Sequence, residues 1–391
     1  MKTGIRVTLR LGAGIFALIA LSPEQTYAQG NNPNAYPNPY QLQENWAKLP
    51  PGRTWGSTIG IEIDPDGKSL WTFDRCAALN CRGSTLDPIM KFDPNGVMQI
   101  KFGSGLVNDP HGFHVDREGN VWVSDTVAEN GKGQTVIKFS KEGKVLMTLG
   151  TPGVTGDANS TDAFDQPTDI YVAPNGDIFV SQGHGARPTD RILKFSKDGK
   201  FIKSWGKRGN GPGEFDTPHQ LAMDSTGRLF VADRVNNRIQ IFDQDGKLLE
   251  EWKQFGRPSG LYIDRNDNLY SADHQSGDTD GKVNPGFKKG IRVGSAKDGK
   301  VAAFIPEIAP DANMPEGIAA DSSGIIYGCL KTKFDNNDGE GHRRPASMRC
   351  GLGAGWRGAS VRLCQETDES SIHCSKQHTS SGSGVSALHP G

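Results

Sequence analysis

A strand-and-turn pattern recurs along most of this chain and limits the folds that the chain can adopt. Its clearest copy runs from Thr217 to Leu249, TPHQLAMDSTGRLFVADRVNNRIQIFDQDGKLL. Apolar runs of about five residues alternate with turn signals such as Asp-Ser-Thr-Gly and Asp-Gly, which predicts a four-stranded antiparallel sheet. One such sheet cannot bury both of its faces alone, so the copies must stack against one another.

Six copies of the pattern are present, at a period of about 40–57 residues that suits propeller blades rather than helical solenoids. They are Ile59–Cys76 with Ile89–Phe102, Pro110–Thr126 with Val136–Leu149, Pro167–Gly183 with Arg191–Trp205, Pro218–Trp252, Pro258–His274 with Ile291–Ile305, and the opening Pro315–Leu330. Their consensus closely resembles the NHL repeat from about Gly60 to Gly328. The sequence therefore predicts an all-β fold, a six-bladed β-propeller of four-stranded NHL-type blades.

The two ends of the chain depart from this pattern. Lys2, Arg6 and Arg10 precede the apolar run Leu11–Leu21, which is too short to span a bilayer and is typical of a signal peptide. We therefore predict a signal peptide at 1–28, a linker at 29–39, the propeller at 40–333 and a low-order tail at 334–391. The tail has no hydrophobic period and no clear third strand for the sixth blade, so a frameshifted or truncated natural end is an alternative.

The segment before the first blade predicts how the ring closes. Tyr40–Trp46 resembles the strand that ends other blades, such as Phe201–Trp205. An outer strand in this place would complete the last blade and remove an exposed sheet edge. A disordered leader is the alternative.

The charge and the cysteines of the chain limit the compartment and the partners that we expect for this protein. The net charge is −1 with both signs interspersed, which gives no electrostatic footprint for nucleic acid. The signal peptide predicts a secreted or periplasmic protein, and there we expect Cys76 and Cys81 to form a loop disulfide rather than a metal site. We expect a monomer without stable membrane insertion that acts on a small molecule or peptide.

One set of candidate site residues follows the proline that opens each blade. The set is His111, Thr168, His219, Ser259 and Glu316, with Ile59 at the equivalent place in the first blade. His111, His219 and Glu316 come from alternate blades, about 120° apart around the axis, so they could converge on one metal ion. Two imidazoles and a carboxylate suit zinc or non-haem iron. Packing histidines and a solvated glutamate are the alternative.

A second set follows the second strand of several blades. Arg75 and Arg234 each come directly after an aspartate, and His184 follows Gln182-Gly183. The arginines could hold a substrate carboxylate through paired hydrogen bonds, and His184 could act as a general base near neutral pH. The alternatives are ion pairs between each arginine and its neighbouring aspartate, and an exposed loop histidine.

Both sets carry a narrower resemblance, to peptidyl-α-hydroxyglycine α-amidating lyase. Asp109-Pro110-His111-Gly112 and Pro218-His219-Gln220-Leu221 match the first two zinc-histidine motifs of that family. Phe73-Asp74-Arg75 and Ala232-Asp233-Arg234 resemble the segments that bear its catalytic arginines, and Gln166–Ile170 also agrees closely. The resemblance implies a zinc-dependent carbon–nitrogen lyase that releases a peptide amide and glyoxylate from a substrate with a carboxylate.

Three positions depart from the family pattern. Glu316 stands where the family has its third zinc histidine, Gly317 where it has a calcium-binding aspartate, and His184 where it has a catalytic tyrosine. We therefore predict Arg75, His184 and Arg234 as catalytic residues, and zinc on His111, His219 and Glu316. Calcium is a possible second ion, although the carboxylate that helps to hold it in the family is absent here. The alternatives are a non-enzymatic ligand- or protein-binding scaffold and another propeller enzyme, such as a lactonase or a streptogramin-type lyase.

Overall fold

A computed structural model describes residues 32–43, 46–185, 188–307 and 315–330, together with the backbone of the strand at 361–364. The predicted signal peptide and most of the predicted tail lie outside these ranges. The one short helix of the described ranges is α1 (Asp278–Gly281), and none of their helices is long and apolar enough to cross a bilayer.

The strands form six four-stranded sheets arranged as the blades of a propeller. After β1 (Leu42–Gln43), the first two blades comprise β2 (Thr58–Ile63), β3 (Leu70–Asp74), β4 (Ile89–Phe92), β5 (Met98–Phe102), β6 (Pro110–Val115), β7 (Val121–Asp125), β8 (Thr135–Phe139) and β9 (Val145–Leu149). The next two comprise β10 (Pro167–Val172), β11 (Ile178–Gln182), β12 (Arg191–Phe195), β13 (Phe201–Trp205), β14 (Pro218–Met223), β15 (Leu229–Asp233), β16 (Arg238–Phe242) and β17 (Leu248–Trp252). The last two comprise β18 (Gly260–Ile263), β19 (Asn268–Asp273), β20 (Gly290–Ser295), β21 (Val301–Pro306), β22 (Pro315–Ala320), β23 (Ile326–Leu330) and β24 (Val361–Cys364).

Each pair of neighbouring blades encloses an apolar cluster. Phe73 of blade one stacks on Phe113 of blade two, with ring centres 5.6 Å apart. Between blades six and one, Trp46 packs edge-on against Tyr327 at 5.0 Å. The first strand of a blade is buried almost throughout, whereas an outer strand such as β17 exposes most of its residues. The hydrophobic stabilisation is therefore distributed around the ring.

The sixth blade is assembled from both ends of the chain. β22 and β23 are antiparallel, and β1 is the outermost strand, as the sequence predicted for ring closure. The third strand was not predicted: β24 occupies this place and runs parallel to both β23 and β1. A parallel neighbour requires a crossover of a dozen or more residues, so the short turns that identify the other blades could not reveal it.

The segment predicted as a linker is held against blade five from residue 32 onward. It has no regular secondary structure, but Arg292 Nη2 donates to Asn34 Oδ1 at 2.9 Å and Phe304 N donates to Pro37 O at 3.1 Å. These bonds make the segment part of the propeller surface rather than a free spacer.

The disulfide between Cys76 and Cys81 is present, as predicted. It closes the loop that follows β3 and begins directly after Arg75. The same loop is tied to the start of blade two, because Cys81 N donates to Asn108 O at 2.8 Å. The disulfide therefore helps to position Arg75 relative to the neighbouring blade.

Candidate metal centre

The inner strands bring the residue after each opening proline to one end of the central channel. His111 stands on β6, His219 on β14 and Glu316 on β22, and all three line one small cavity. The register with the second strand shifts at the start of these inner strands. Such irregularities re-aim a side chain, which explains why buried strands present polar groups here.

The orientation of two histidine rings is set by backbone carbonyls of the next blade. His111 Nδ1 lies 2.8 Å from Thr168 O, and His219 Nδ1 lies 2.8 Å from Ser259 O. A carbonyl oxygen can only accept, so each Nδ1 carries the hydrogen and each Nε2 keeps a lone pair. This arrangement is typical of histidines that bind a metal through Nε2.

His184 joins these two histidines. The ring centre of His111 lies 4.8 Å from that of His219 and 5.0 Å from that of His184, and the remaining pair is 5.8 Å apart. One ligand atom from each residue lies within 4.8 Å of the others. Imidazoles bound at about 2.1 Å to one tetrahedral ion have ring centres about 5 Å apart. The three rings therefore fit a tris-histidine metal site.

Glu316 occupies a different place in this group. Its Oε1 lies 3.3 Å from His219 Nε2 and 3.5 Å from Arg234 Nη1. His219 Nε2 is buried and has no hydrogen-bond donor among the residues described. A carboxylate and an imidazole lone pair both accept, so a proton or a cation must balance this buried contact. The adjacent cavity has about 10 Å³ of free space, enough for about one water-sized sphere.

The electrostatic environment keeps all three imidazoles neutral at physiological pH. Burial, together with the charge of Arg234, lowers the pKa of His184 to about 3 and that of His219 to about 4. Burial and the two neighbouring histidines hold the pKa of His111 well below its usual range. The neutral imidazole is the metal-binding form, so these rings need not lose a proton before they bind a metal ion.

The two arginines turn away from their neighbouring aspartates. Asp74 pairs with Arg53 at 2.8 Å and Asp233 with Arg238 at 2.7 Å. Among the described residues, therefore, neither Arg75 nor Arg234 pairs with the aspartate that precedes it. Arg234 Nη2 instead donates to His184 Nε2 at 3.1 Å.

Arg75 lies on the other side of the histidines. Its Nε donates to Pro110 O at 3.0 Å and lies 3.4 Å from Asp109 Oδ1. Neither Nη atom of Arg75 is bonded to another residue in the described ranges, and its charge reaches His111 and His184. Arg75 can therefore offer a planar pair of donors next to the imidazoles.

Comparisons with known proteins agree with this architecture. A family model described as a 6-bladed beta-propeller matches residues 173–254. The human NHL repeat-containing protein 3 is 34% identical over 204 residues, which cover 51% of this chain and 56% of that protein. Peptidyl-glycine alpha-amidating monooxygenase B of Xenopus laevis is 32% identical over 307 residues, covering 70% of this chain and 32% of that protein.

The chain is a six-bladed β-propeller similar to the NHL-repeat proteins and the amidating lyases. The probable peptidyl-alpha-hydroxyglycine alpha-amidating lyase of Caenorhabditis elegans is 37% identical over 143 residues, covering 36% of this chain and 38% of that protein. The propeller thus spans just over half the length of its human relative and about a third of the amidating proteins. Among solved structures, a streptogramin B lyase matches with a TM-score of 0.49 and 18% identity, covering 74% of this chain and 94% of that one.

Some groups of the propeller site were not identified from the sequence. The carbonyls of Thr168 and Ser259 orient the two histidines, yet only their side chains were considered. The sequence did contain a signal for these carbonyls. Thr168 and Ser259 follow the opening proline of their blades, as each histidine does one blade earlier. The sequence did place His184 near this end of the channel, because residues after the second strand share it with those that open the first strand. It predicted His184 as a base, however, and not as a third imidazole beside His111 and His219.

Proposed function

We propose that this propeller is a zinc-dependent carbon–nitrogen lyase similar to peptidyl-α-hydroxyglycine α-amidating lyase. The observation that carries the proposal is the meeting of three neutral imidazoles beside two arginines: His111 and His219, which are buried, and His184, which is half-buried. In this proposal His184 is a metal ligand and Glu316 accepts and returns a proton. From the sequence we predicted the opposite, with His184 as the base and Glu316 as the metal ligand.

The proposed substrate is a peptide that ends in α-hydroxyglycine, and Arg75 recognises its carboxylate. The two Nη groups of Arg75 suit paired hydrogen bonds to a carboxylate. Arg234 donates to the lone pair of His184 Nε2 and lies close to Glu316. Because a neutral imidazole has one lone pair, a metal on His184 would replace this bond, and Arg234 would then hold Glu316 through their contact. Zinc beside two guanidinium groups also makes this end of the channel attractive to an anion.

The chemistry requires only one proton to be carried from oxygen to nitrogen. When bound, the zinc ion supplies a Lewis acid that lowers the pKa of the substrate hydroxyl. Glu316 accepts the hydroxyl proton, the C–N bond breaks as the carbonyl forms, and Glu316 returns the proton to the departing amide nitrogen. The products are a peptide amide and glyoxylate, and no oxidant, reductant or water is consumed.

The proposal also concerns calcium and the compartment in which the protein acts. Gly317 offers no carboxylate where the family has its calcium ligand, so we assign no role to calcium. We propose that the chain is exported, and the Cys76–Cys81 disulfide supports this because such bonds persist in oxidising compartments.

The decisive experiment measures metal and activity in the same samples. We expect about one zinc per mature chain by elemental mass spectrometry, glyoxylate release from a peptidyl hydroxyglycine, and loss of both in a His111→Ala, His219→Ala double variant. The Asp198→Ala variant, on an exposed turn of blade three, is the matched control and should retain both. No stoichiometric metal, even after reconstitution, would reject the metal mechanism.

One observation favours a second candidate, a non-enzymatic binding propeller. Glu316 lies between His219 and Arg234, so these groups could satisfy one another without a metal or a substrate. A folded protein without metal would support this candidate. A zinc-loaded protein that ignores hydroxyglycine peptides but hydrolyses a lactone would instead identify a different propeller enzyme.

A further inference from the structure

The other end of the channel contains a much larger cavity. It has a volume of about 740 Å³ and opens to solvent among the turns that follow the inner strands. Volumes of about 300–1,000 Å³ are typical of sites for small organic ligands. Asp169 and Gln220 line both this cavity and the small cavity beside His111, so they separate the two ends.

This separation is fixed by hydrogen bonds between blades. Asp169 accepts from Phe113 N at 3.1 Å and from Leu221 N at 2.8 Å. Gln220 accepts from Leu261 N at 2.7 Å. The large cavity is therefore a site distinct from the metal centre, and what it binds does not depend on the lyase proposal.

Polar residues from four blades meet in the wall of the cavity at one register position. The residue four places after the start of each blade is Glu62, His114, Tyr171 or Tyr262 in blades one, two, three and five, and alanine in blades four and six. His114 Nδ1 lies 3.4 Å from Glu62 Oε2, and the ring centres of His114 and Tyr171 are 4.6 Å apart. Ala222 of blade four lines the cavity and fills little of it, whereas Ala319 of blade six packs in the core between blades six and one.

Three acceptors in this wall are not used by the protein. Glu62 Oε1 and the hydroxyl groups of Tyr171 and Tyr262 have no hydrogen-bond partner in the part of the chain that the structure describes. Glu62 and Tyr171 both contact His114, and Tyr262 lines the same cavity. The Glu62 carboxylate also adds to burial in raising the pKa of both phenols. Apolar side chains such as Ile61 and Leu261 complete the wall.

The charges around the cavity favour a cation. Its lining contains Arg117 and Arg265 and, besides Glu62 and the buried Asp169, five turn aspartates: Asp64, Asp116, Asp224, Asp264 and Asp321. Three of these are paired with Lys91, Lys138 and Arg228. Asp264 and Asp321 accept hydrogen bonds only from neutral donors. Carboxylates therefore outnumber cations in this half of the channel.

We propose that this cavity is a second ligand site, which binds a small primary amine with an apolar or aromatic body. A primary ammonium has three N–H donors, which matches the carboxylate oxygen of Glu62 and the hydroxyl oxygens of Tyr171 and Tyr262. The two tyrosine rings add cation–π attraction, and the apolar wall accommodates the body of the ligand.

The test titrates the zinc-loaded mature chain with benzylammonium chloride, by calorimetry and by saturation-transfer NMR. Benzyl alcohol and benzoate are the neutral and anionic comparators. We expect one benzylammonium site, with affinity at least about tenfold above that for benzyl alcohol, because a hydrogen bond to a charged group is roughly twice as strong. Benzoate should not bind at this site.

Isosteric variants locate the site. Glu62→Gln and Tyr262→Phe should each weaken benzylammonium binding, the first by about tenfold or more. The matched controls are Glu118→Gln, on an exposed turn, and Tyr36→Phe, which packs against the cluster between blades four and five and does not line the cavity; both should bind as the natural chain does. Circular dichroism checks the fold, and Tyr262→Phe decides the outcome if Glu62→Gln does not fold.

Three results would overturn the proposal. They are equal affinity for benzyl alcohol and benzylammonium, no binding at millimolar concentration, and unchanged affinity in folded Glu62→Gln or Tyr262→Phe. The His111→Ala, His219→Ala double variant distinguishes the two sites. It should lose zinc yet bind the amine normally, whereas loss of amine binding in that variant would place the amine at the metal centre instead.

Discussion

At the scale of single residues, the proposed metal chemistry depends on which nitrogen of each histidine faces the channel. The Thr168 and Ser259 carbonyls hold Nδ1–H of His111 and His219, so both rings present Nε2 without rearrangement. Removing water from these rings favours their neutral form. The orientation and the charge state of both rings are therefore already those that metal binding would require.

The first prediction concerns the pH dependence of zinc binding. Protons compete with a metal for imidazole only below the pKa of the ring, and burial lowers that pKa to about 3 for His184 and about 4 for His219. Zinc affinity should therefore change by less than about threefold between pH 7.5 and pH 5.5, whereas three ordinary imidazoles with pKa about 6.5 would lose affinity steeply. Competition with a chelator of known pH dependence measures this, and a loss above about tenfold would contradict it.

The second prediction separates the metal ligand from its neighbour. His184→Ala should weaken zinc binding by more than about a hundredfold, because it removes one of three ligands. Glu316→Gln should weaken it less, by about tenfold, while abolishing glyoxylate release, because Glu316 is assigned to the proton. Zinc titrations of both variants decide the order, and the reverse order would restore Glu316 as the third ligand.

At the scale of strands and loops, buried side chains tie neighbouring blades together. Asp169, on β10, is only 2% exposed and accepts from the backbone of both β6 and β14. It therefore joins three consecutive inner strands between the two cavities.

The third prediction is that Asp169→Ala destabilises the protein by about 3 kcal/mol, because two buried N–H groups lose their acceptor. Burial raises the pKa of Asp169 to about 7 in the folded state, above its ordinary 3.8. The folded state thus holds this proton more tightly, and the resulting stability is lost as pH rises through about 7. Urea unfolding should show a larger loss at pH 5 than at pH 8, with Asp198→Ala as control; an equal loss at both would refute the pH argument.

The fourth prediction concerns the loop closed by Cys76 and Cys81. Replacing both cysteines by serine should lower the free energy of unfolding by about 2 kcal/mol, the loop-entropy value for a short loop. Arg75 directly precedes this loop and is assigned to the substrate carboxylate. The KM for the hydroxyglycine peptide should therefore rise, while the zinc content stays the same. Calorimetry, kinetics and metal analysis measure the three quantities. An unchanged KM would show that the loop does not position Arg75.

At the scale of the whole molecule, both ends of the chain contribute to one blade. β1 covers the outer side of β24, and the preceding segment is bonded to blade five. Closure in this way leaves no long unpaired strand between the first and last blades.

The fifth prediction tests ring closure. A chain that begins at Trp46 lacks β1 and the bonds of Asn34 and Pro37, so it should unfold at a temperature several degrees lower, about 2–4 °C per kcal/mol lost for a protein of this size. Its exposed strand edge should also promote self-association. Calorimetry and light scattering compare it with a chain that begins at Gln29. Identical behaviour of the two chains would show that closure does not require β1.

Prediction from sequence succeeded where structure follows from local repetition. The repeat identified the blades and the outer strand at the N-terminus, because each depends on strand patterns that neighbouring residues specify. The third strand of the sixth blade was missed because β24 lies some thirty residues beyond β23 and runs parallel to it. Nothing local distinguishes such a strand from an irregular tail.

The repeat is enough to predict the six-bladed ring and the approach of His111 to His219, because residues in the same register of a closed repeat must face the same channel. The packing of the assembled blades was needed to show that His184 is the third imidazole of the group and that Glu316 lies between His219 and Arg234. It also shows that Arg75 and Arg234 turn from the aspartates that precede them. The two arginines turn from these aspartates because Asp74 is already paired with Arg53 and Asp233 with Arg238. The direction of a loop side chain depends on partners that only the assembled blades bring within reach.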